Sequence, residues 1–99
     1  MITDRVFPLR VGGKCRLIRW VYDEAEKGWS FNLDLGLSYP ISFVVSSVDN
    51  GRLKEYFAYK MIHGERLDEN HLASTYNPDL AFRICEDYCQ QALNRFFRR

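Results

Sequence analysis

Cys85 and Cys89 stand four residues apart in the C-terminal quarter of the chain, and with His63 or His71 folded close they could offer thiolate and imidazole ligands to zinc. The spacing argues against it. Structural zinc sites use short knuckles such as C-x-x-C, whereas a four-residue step along a helix sets both thiols on one apolar side, where free cysteine behaves as a small hydrophobe. A cysteine nucleophile with a histidine base fits no better, because burial among aromatics raises a thiol's pKa and shields it from substrate. Three cysteines cannot all pair within one chain, and Cβ atoms four apart on a helix diverge too far for a disulfide, so reduced thiols are expected.

Other groups with chemical potential read in the same way. Gly12-Gly13-Lys14 has part of a phosphate-binding loop but lacks the convergent N–H groups and following helix that such a loop needs, and two glycines between strand patterns make a hairpin turn. Ser46 and Ser47 lie in a strand pattern without the G-x-S-x-G elbow of a serine hydrolase. Glu65, Asp68 and Glu69 gather near His71 in a turn-rich stretch, where solvated charge is the ordinary explanation. No catalytic residue, metal site or cofactor is therefore expected, and the chain is read as non-enzymatic.

Charge is the next signal. The formal net charge is +1, yet residues 1–22 carry +4, residues 23–80 carry −5 and residues 81–99 carry +2. Arg5, Arg10, Lys14, Arg16 and Arg19 supply the first block, and Arg95, Arg98 and Arg99 dominate the last. A register drawn through Gly12-Gly13 splits the first block, sending Arg10 and Arg19 to one sheet face and Arg5, Lys14 and Arg16 to the helix side or its rim. Arg5 beside Trp20 suggests a cation–π contact.

The elements that must position these residues begin with the one easiest to read. Asn77 is a good N-cap, Pro78 suits the first helical position and Asp79 complements the positive helix end. From there Ala81, Ile84, Cys85, Tyr88, Cys89, Ala92 and Phe96 fall on one side of a helix, with Phe82, Leu93 and Phe97 along the border of that stripe. A single flat sheet face is too narrow to cover a stripe that wide, so those three are expected at an interface, the alternative being a monomer whose fourth and fifth strands curl to bury them.

Upstream, Arg5–Val11 and Lys14–Tyr22 read as a hairpin pairing Val11 with Lys14 and Arg5 with Trp20. Pro8 places the first strand at a sheet edge. Trp29, Phe31, Leu33, Leu35 and Leu37 alternate with polar residues in a third strand, and if Tyr22 faces Trp29, then Trp20 meets Phe31 and Ile18 meets Leu33. Tyr39-Pro40 breaks that strand, a fourth covers Ile41–Val48, and Asn50-Gly51 turns into a fifth from Arg52 to about Ile62, with Val48 opposite Leu53 and Val45 opposite Tyr56. These last two strands are apolar on both faces. Residues 68–74 read as a short helix or an irregular crossover. The expected fold is α+β, one domain over residues 1–99: an antiparallel four- to five-stranded meander sheet with one long C-terminal helix packed across one face.

Ninety-nine residues, 46% of them apolar and 15% aromatic, suffice for a single core and exclude a disordered chain. No apolar run reaches the ~18 residues of a membrane span, and Met1-Ile2-Thr3-Asp4-Arg5 lacks a signal-peptide core, so the cytoplasm is the expected compartment. With every catalytic signature wanting, the expected function is a small protein-interaction module, a regulator, adaptor or inhibitor that docks a preformed surface and can form a homodimer. Its expected interface comprises Phe82, Leu93 and Phe97 on the helix and Arg10, Leu17, Arg19 and Val21 on the outer sheet face. The alternative is a nucleic-acid-binding protein using Arg10, Lys14, Arg16, Arg19, Arg95, Arg98 and Arg99.

Overall fold

Gly12 and Gly13 both take positive φ, 56° and 85°, the two-residue geometry that matches the twist of a tight hairpin. They join β1 (Arg5–Val11) to β2 (Lys14–Asp23) in the register expected from the sequence, Val11 opposite Lys14 and Arg5 opposite Trp20. The structure, a computed structural model, describes residues 5–24, 27–33, 41–61 and 70–96. After β2 come β3 (Gly28–Leu33), β4 (Ile41–Asn50), β5 (Leu53–Met61), β6 (His71–Thr75) and α1 (Pro78–Phe96). The strands form one antiparallel meander in the order β1-β2-β3-β4-β5-β6, so the fold is α+β with six strands rather than four or five.

The sixth strand replaces the expected crossover for a reason visible in its register. Ala58 pairs with Ala73 and Tyr59 with His71, so a bulge skips Leu72. Leu72 and Ala73 both pack toward the core, which breaks the two-residue alternation by which a strand is recognised. The β4–β5 register also differs from expectation: Asn50 pairs with Leu53 and Val45 with Ala58. Gly51 alone has positive φ, 72°, and opens a Gly51-Arg52 turn, whereas an Asn-Gly turn of the other mirror type would need Asn50 at positive φ as well. The shift is two residues. Each side chain therefore keeps its face.

β2 and β3 pair only from Val21–Asp23 to Gly28–Ser30, Tyr22 lying opposite Trp29 as expected. Past that point the expected partners Trp20 and Phe31 meet through their rings, edge to face at 4.7 Å, instead of through a backbone ladder. Phe7 of β1 also reaches Phe31, at 5.1 Å between centroids. Flat strands two places apart would sit about 10 Å from each other, so the β1–β2 hairpin bends over the rest of the sheet. The expected Leu35, Leu37 and Tyr39-Pro40 features lie outside the described residues.

α1 fills the trough that this curl creates. Asn77 caps it, its Oδ1 accepting a hydrogen bond from the Asp79 backbone N–H at 3.1 Å. The helix contacts β1, β4, β5 and β6, so both edge strands of the sheet close on one helix. Ala81, Phe82, Cys85, Cys89 and Leu93 are buried with Phe7, Leu9, Trp20, Phe31, Leu33, Phe43 and Val45. The buried stripe is turned toward β1 relative to the one read from the sequence, leaving Ile84, Tyr88 and Ala92 half-buried. A sheet that wraps a helix covers a wider arc of it than a flat one does.

Candidate functional site

The hairpin geometry decides where each backbone group of β1 points. With Val11 and Lys14 flanking a two-residue turn, odd-numbered β1 residues bond to β2 while Val6, Pro8 and Arg10 direct their backbone toward the sheet edge. Pro8 thus sits where no ladder bond is lost. Arg10 is met by Gln90 of α1, whose Oε1 accepts from the Arg10 N–H at 2.8 Å and whose Nε2 donates to the Arg10 carbonyl at 3.0 Å. The edge is blunted by a proline and by a side-chain amide standing in for a neighbouring strand.

On the outer face of the same hairpin, the pairs Val6–Arg19, Pro8–Leu17 and Arg10–Cys15 bring their side chains together. Leu17 is 75% exposed, Val21 57% and Val6 46%, and Arg10, Cys15 and Arg19 are exposed too. Where β2 parts from β3, a groove of about 480 Å³ opens beside this patch, lined by Arg19, Val21, Asp23, Ser30 and Asn32 among others. The structure therefore gathers four of the expected interface residues, Arg10, Leu17, Arg19 and Val21, on one surface. It removes two others. Phe82 is 0% and Leu93 1% exposed, because the curled sheet reaches around the helix and buries the border of its stripe. Phe97 lies outside the described residues.

The chemical candidates resolve as follows. Cys85 and Cys89 are buried, and burial pushes both thiols up to about 12, with the neighbouring Glu86 carboxylate adding to the shift at Cys85. Both thiols are thereby favoured in their protonated form at neutral pH. His71 is exposed on β6, its Nε2 2.9 Å from Ser74 Oγ and its ring beside Tyr59 and Phe57. Among the described residues, no three His, Cys, Asp or Glu side chains come together to hold a metal ion. His63, Glu65, Asp68 and Glu69 lie outside them. Ser46 is buried in β4 opposite Phe57, and Gly12-Gly13 is a hairpin turn.

Arg5 is not over Trp20 as expected. Its guanidinium donates to both oxygens of Glu86, from Nε at 2.8 Å and from Nη2 at 3.1 Å, and from Nη1 to Asp79 at 2.7 Å, while lying 5.0 Å from the centroid of Phe82. Trp20 Nε1 donates to the same Glu86 Oε2 at 2.8 Å. These hydrogen bonds and charges hold the Arg5 pKa above its ordinary value despite partial burial. The cluster clamps the hairpin to the helix, and no sequence signal pairs residues so far apart.

Of the basic residues, Arg10, Lys14, Arg16, Arg19 and Arg95 are exposed, whereas Arg98 and Arg99 lie outside the described residues. Gln90 and Asn94, on the polar side of the helix, form with Pro8, Arg10 and Cys15 a second groove of about 350 Å³ that the sequence does not reveal. Comparison with protein-family models, with curated proteins and with solved structures finds no match.

Proposed function

We propose that this protein is a non-enzymatic interaction module whose docking surface is the outer face of the β1–β2 hairpin. The observation that carries the reading is Leu17, three-quarters exposed on a face that also holds Val6 and Val21, with Arg19 among them opposite Val6 and Arg10 beyond Pro8. Exposed apolar residues interleaved with arginine are the composition of protein interfaces, and apolar residues gathered on a single face need covering. The two arginines select a partner that sets carboxylates around an apolar contact. A regulator, adaptor or inhibitor acts in this way, through a preformed rigid face.

Leu17→Asp and Val21→Asp test the reading. Both sites are exposed, so stability should change by less than about 0.5 kcal/mol. Affinity capture with the native chain, after nuclease treatment, should retain a protein that rebinds when purified and that both variants fail to hold. Light scattering reports whether that protein is a second copy of the chain. Retention of the same protein by both variants would remove the hairpin face from the function.

A further inference from the structure

Between Lys14 and Trp20, β2 is bonded on one side only. Counting from the Gly12-Gly13 turn, its even-numbered residues exchange ladder bonds with β1, so Cys15, Leu17 and Arg19 turn their backbone N–H and C=O groups the other way, toward β3. β3 pairs with β2 only at Val21–Asp23, and among the described residues no strand, turn or side chain bonds the backbone of Cys15 or Leu17. Lys14, Cys15, Arg16 and Leu17 are all exposed, on both faces of the strand.

The two outer edges of the hairpin are thus treated differently. β1 is guarded by Pro8 and by the Gln90 amide on the Arg10 backbone, and β2 carries neither device. Its guard is charge. Lys14 and Arg16 share the side of the buried Ile18 and Trp20, Arg19 stands on the outer side, and the strand has no carboxylate before Asp23. Among the described residues neither Lys14 nor Arg16 is ion-paired. A second copy pairing through this edge would bring the same cations onto both strands of the junction, where like charges repel. A strand that carries carboxylates meets those cations favourably.

We infer that the open side of β2, from Cys15 to Arg19, receives an extended acidic peptide of another protein as an added strand. The backbone of Cys15 and Leu17 supplies the hydrogen bonds, an apolar side chain of the peptide lies against Leu17 on the outer face, and its carboxylates meet Arg16 and Arg19. Where β2 parts from β3, the groove of about 480 Å³ lined by Arg19, Val21, Ser30 and Asn32 gives the end of that strand room to enter. This edge belongs to the docking face proposed above, and its role rests on that reading, to which it adds main-chain bonding and a partner of stated chemistry.

The test uses the full chain and a fluorescein-labelled peptide, Thr-Glu-Val-Val-Glu-Thr, whose second valine falls opposite Leu17 and whose glutamates fall opposite Arg19 and Arg16 in antiparallel register. Anisotropy should rise saturably as protein is added up to about 1 mM. Replacing both glutamates with glutamine should weaken binding about fivefold. Cys15→Pro, which removes an edge N–H as Pro8 does on β1, should weaken it at least about tenfold, and Cys15→Ser should not. Hydrogen exchange followed by NMR on the native chain, which does not depend on any variant folding, should find the Cys15 and Leu17 amides unprotected and those of Arg16 and Ile18 protected. Saturating peptide should slow the first two at least about tenfold. Absence of binding, or binding that leaves both amides fast, overturns strand addition. Protection already present in the free chain, or growing with protein concentration alone, shows the edge taken by this chain or a second copy and overturns it too. If the protein captured by the native chain is lost on Leu17→Asp but kept on Cys15→Pro, the edge falls and the docking face stands.

Discussion

Arg5 and Glu86, 81 positions apart in the chain, meet through two hydrogen bonds of 2.8 and 3.1 Å that fix the β1–β2 hairpin against the middle of α1. The pair is largely shielded, with side-chain exposures of 23% and 13%, and Trp20 and Asp79 complete its hydrogen bonding. Arg5→Ala leaves a half-buried carboxylate facing only an indole N–H, and is expected to lose about 2 kcal/mol of stability in urea unfolding. A double-mutant cycle with Glu86→Gln should show a coupling of about 1 kcal/mol or more. Additive effects would mean that the clamp holds nothing.

Gly28 is expected to tolerate no side chain. A Cβ there would clash with the carbonyl oxygen of Val45, a backbone atom of the adjacent strand that cannot step aside. Gly28→Ala should therefore cost about 3 kcal/mol or prevent folding. At Gly13 a Cβ meets open space and only the positive φ is unfavourable, so Gly13→Ala should cost about 1 kcal/mol. Chemical denaturation of the two variants gives the comparison.

Thiol chemistry should distinguish Cys15 from the other two cysteines. An aromatic disulfide reagent is expected to titrate one thiol in the native protein and three in denaturant, since Cys15 is exposed while Cys85 and Cys89 are buried.

The same burial sets a response to alkali. A thiol protonated in the fold up to about 12 but ionising near 9.0 when unfolded stabilises the native state fully below pH 9 and loses that contribution as pH rises toward 12. Each buried cysteine should steepen the fall of stability by roughly 1.4 kcal/mol per pH unit in that window. Cys85→Ala and Cys89→Ala should flatten the slope even where they lower stability overall. An unchanged slope would place the thiols in contact with water.

Pro8 and Gln90 are expected to keep the first edge strand from pairing with other chains. The double variant Pro8→Val, Gln90→Ala restores an edge N–H and uncovers the Arg10 backbone, and should associate with rising concentration in sedimentation velocity while the native edge does not. If the double variant sediments as the native protein does, something other than these two residues guards the edge.

What the sequence disclosed and what it withheld divide along the range of the interactions. Gly12-Gly13, Trp29-Ser30-Phe31 and Asn77-Pro78-Asp79 carry local signals, and the hairpin register, the third strand and the helix cap follow from them. β6 was hidden because a bulge turns two successive residues inward, and the β4–β5 register slipped because one glycine admits two kinds of turn. Phe82 and Leu93 were misplaced because the arc of helix that a sheet covers depends on its curl, which no single strand encodes. The outer face with Leu17 and Arg19 was legible from alternation alone. The groove at Gln90 and Asn94 was not, since it exists only where the last element lies against the first.

The wrapping of both edge strands around one helix has a further consequence for how the molecule comes into being. During synthesis β1 must wait for α1, because the partners of Arg5 at 79 and 86 emerge long after it, and the meander before them has no trough-filler for Phe7, Trp20 and Phe31. Closure over such long sequence separations is slow. A chain stopped short of Pro78 would be a sticky ribbon rather than a smaller version of the same protein.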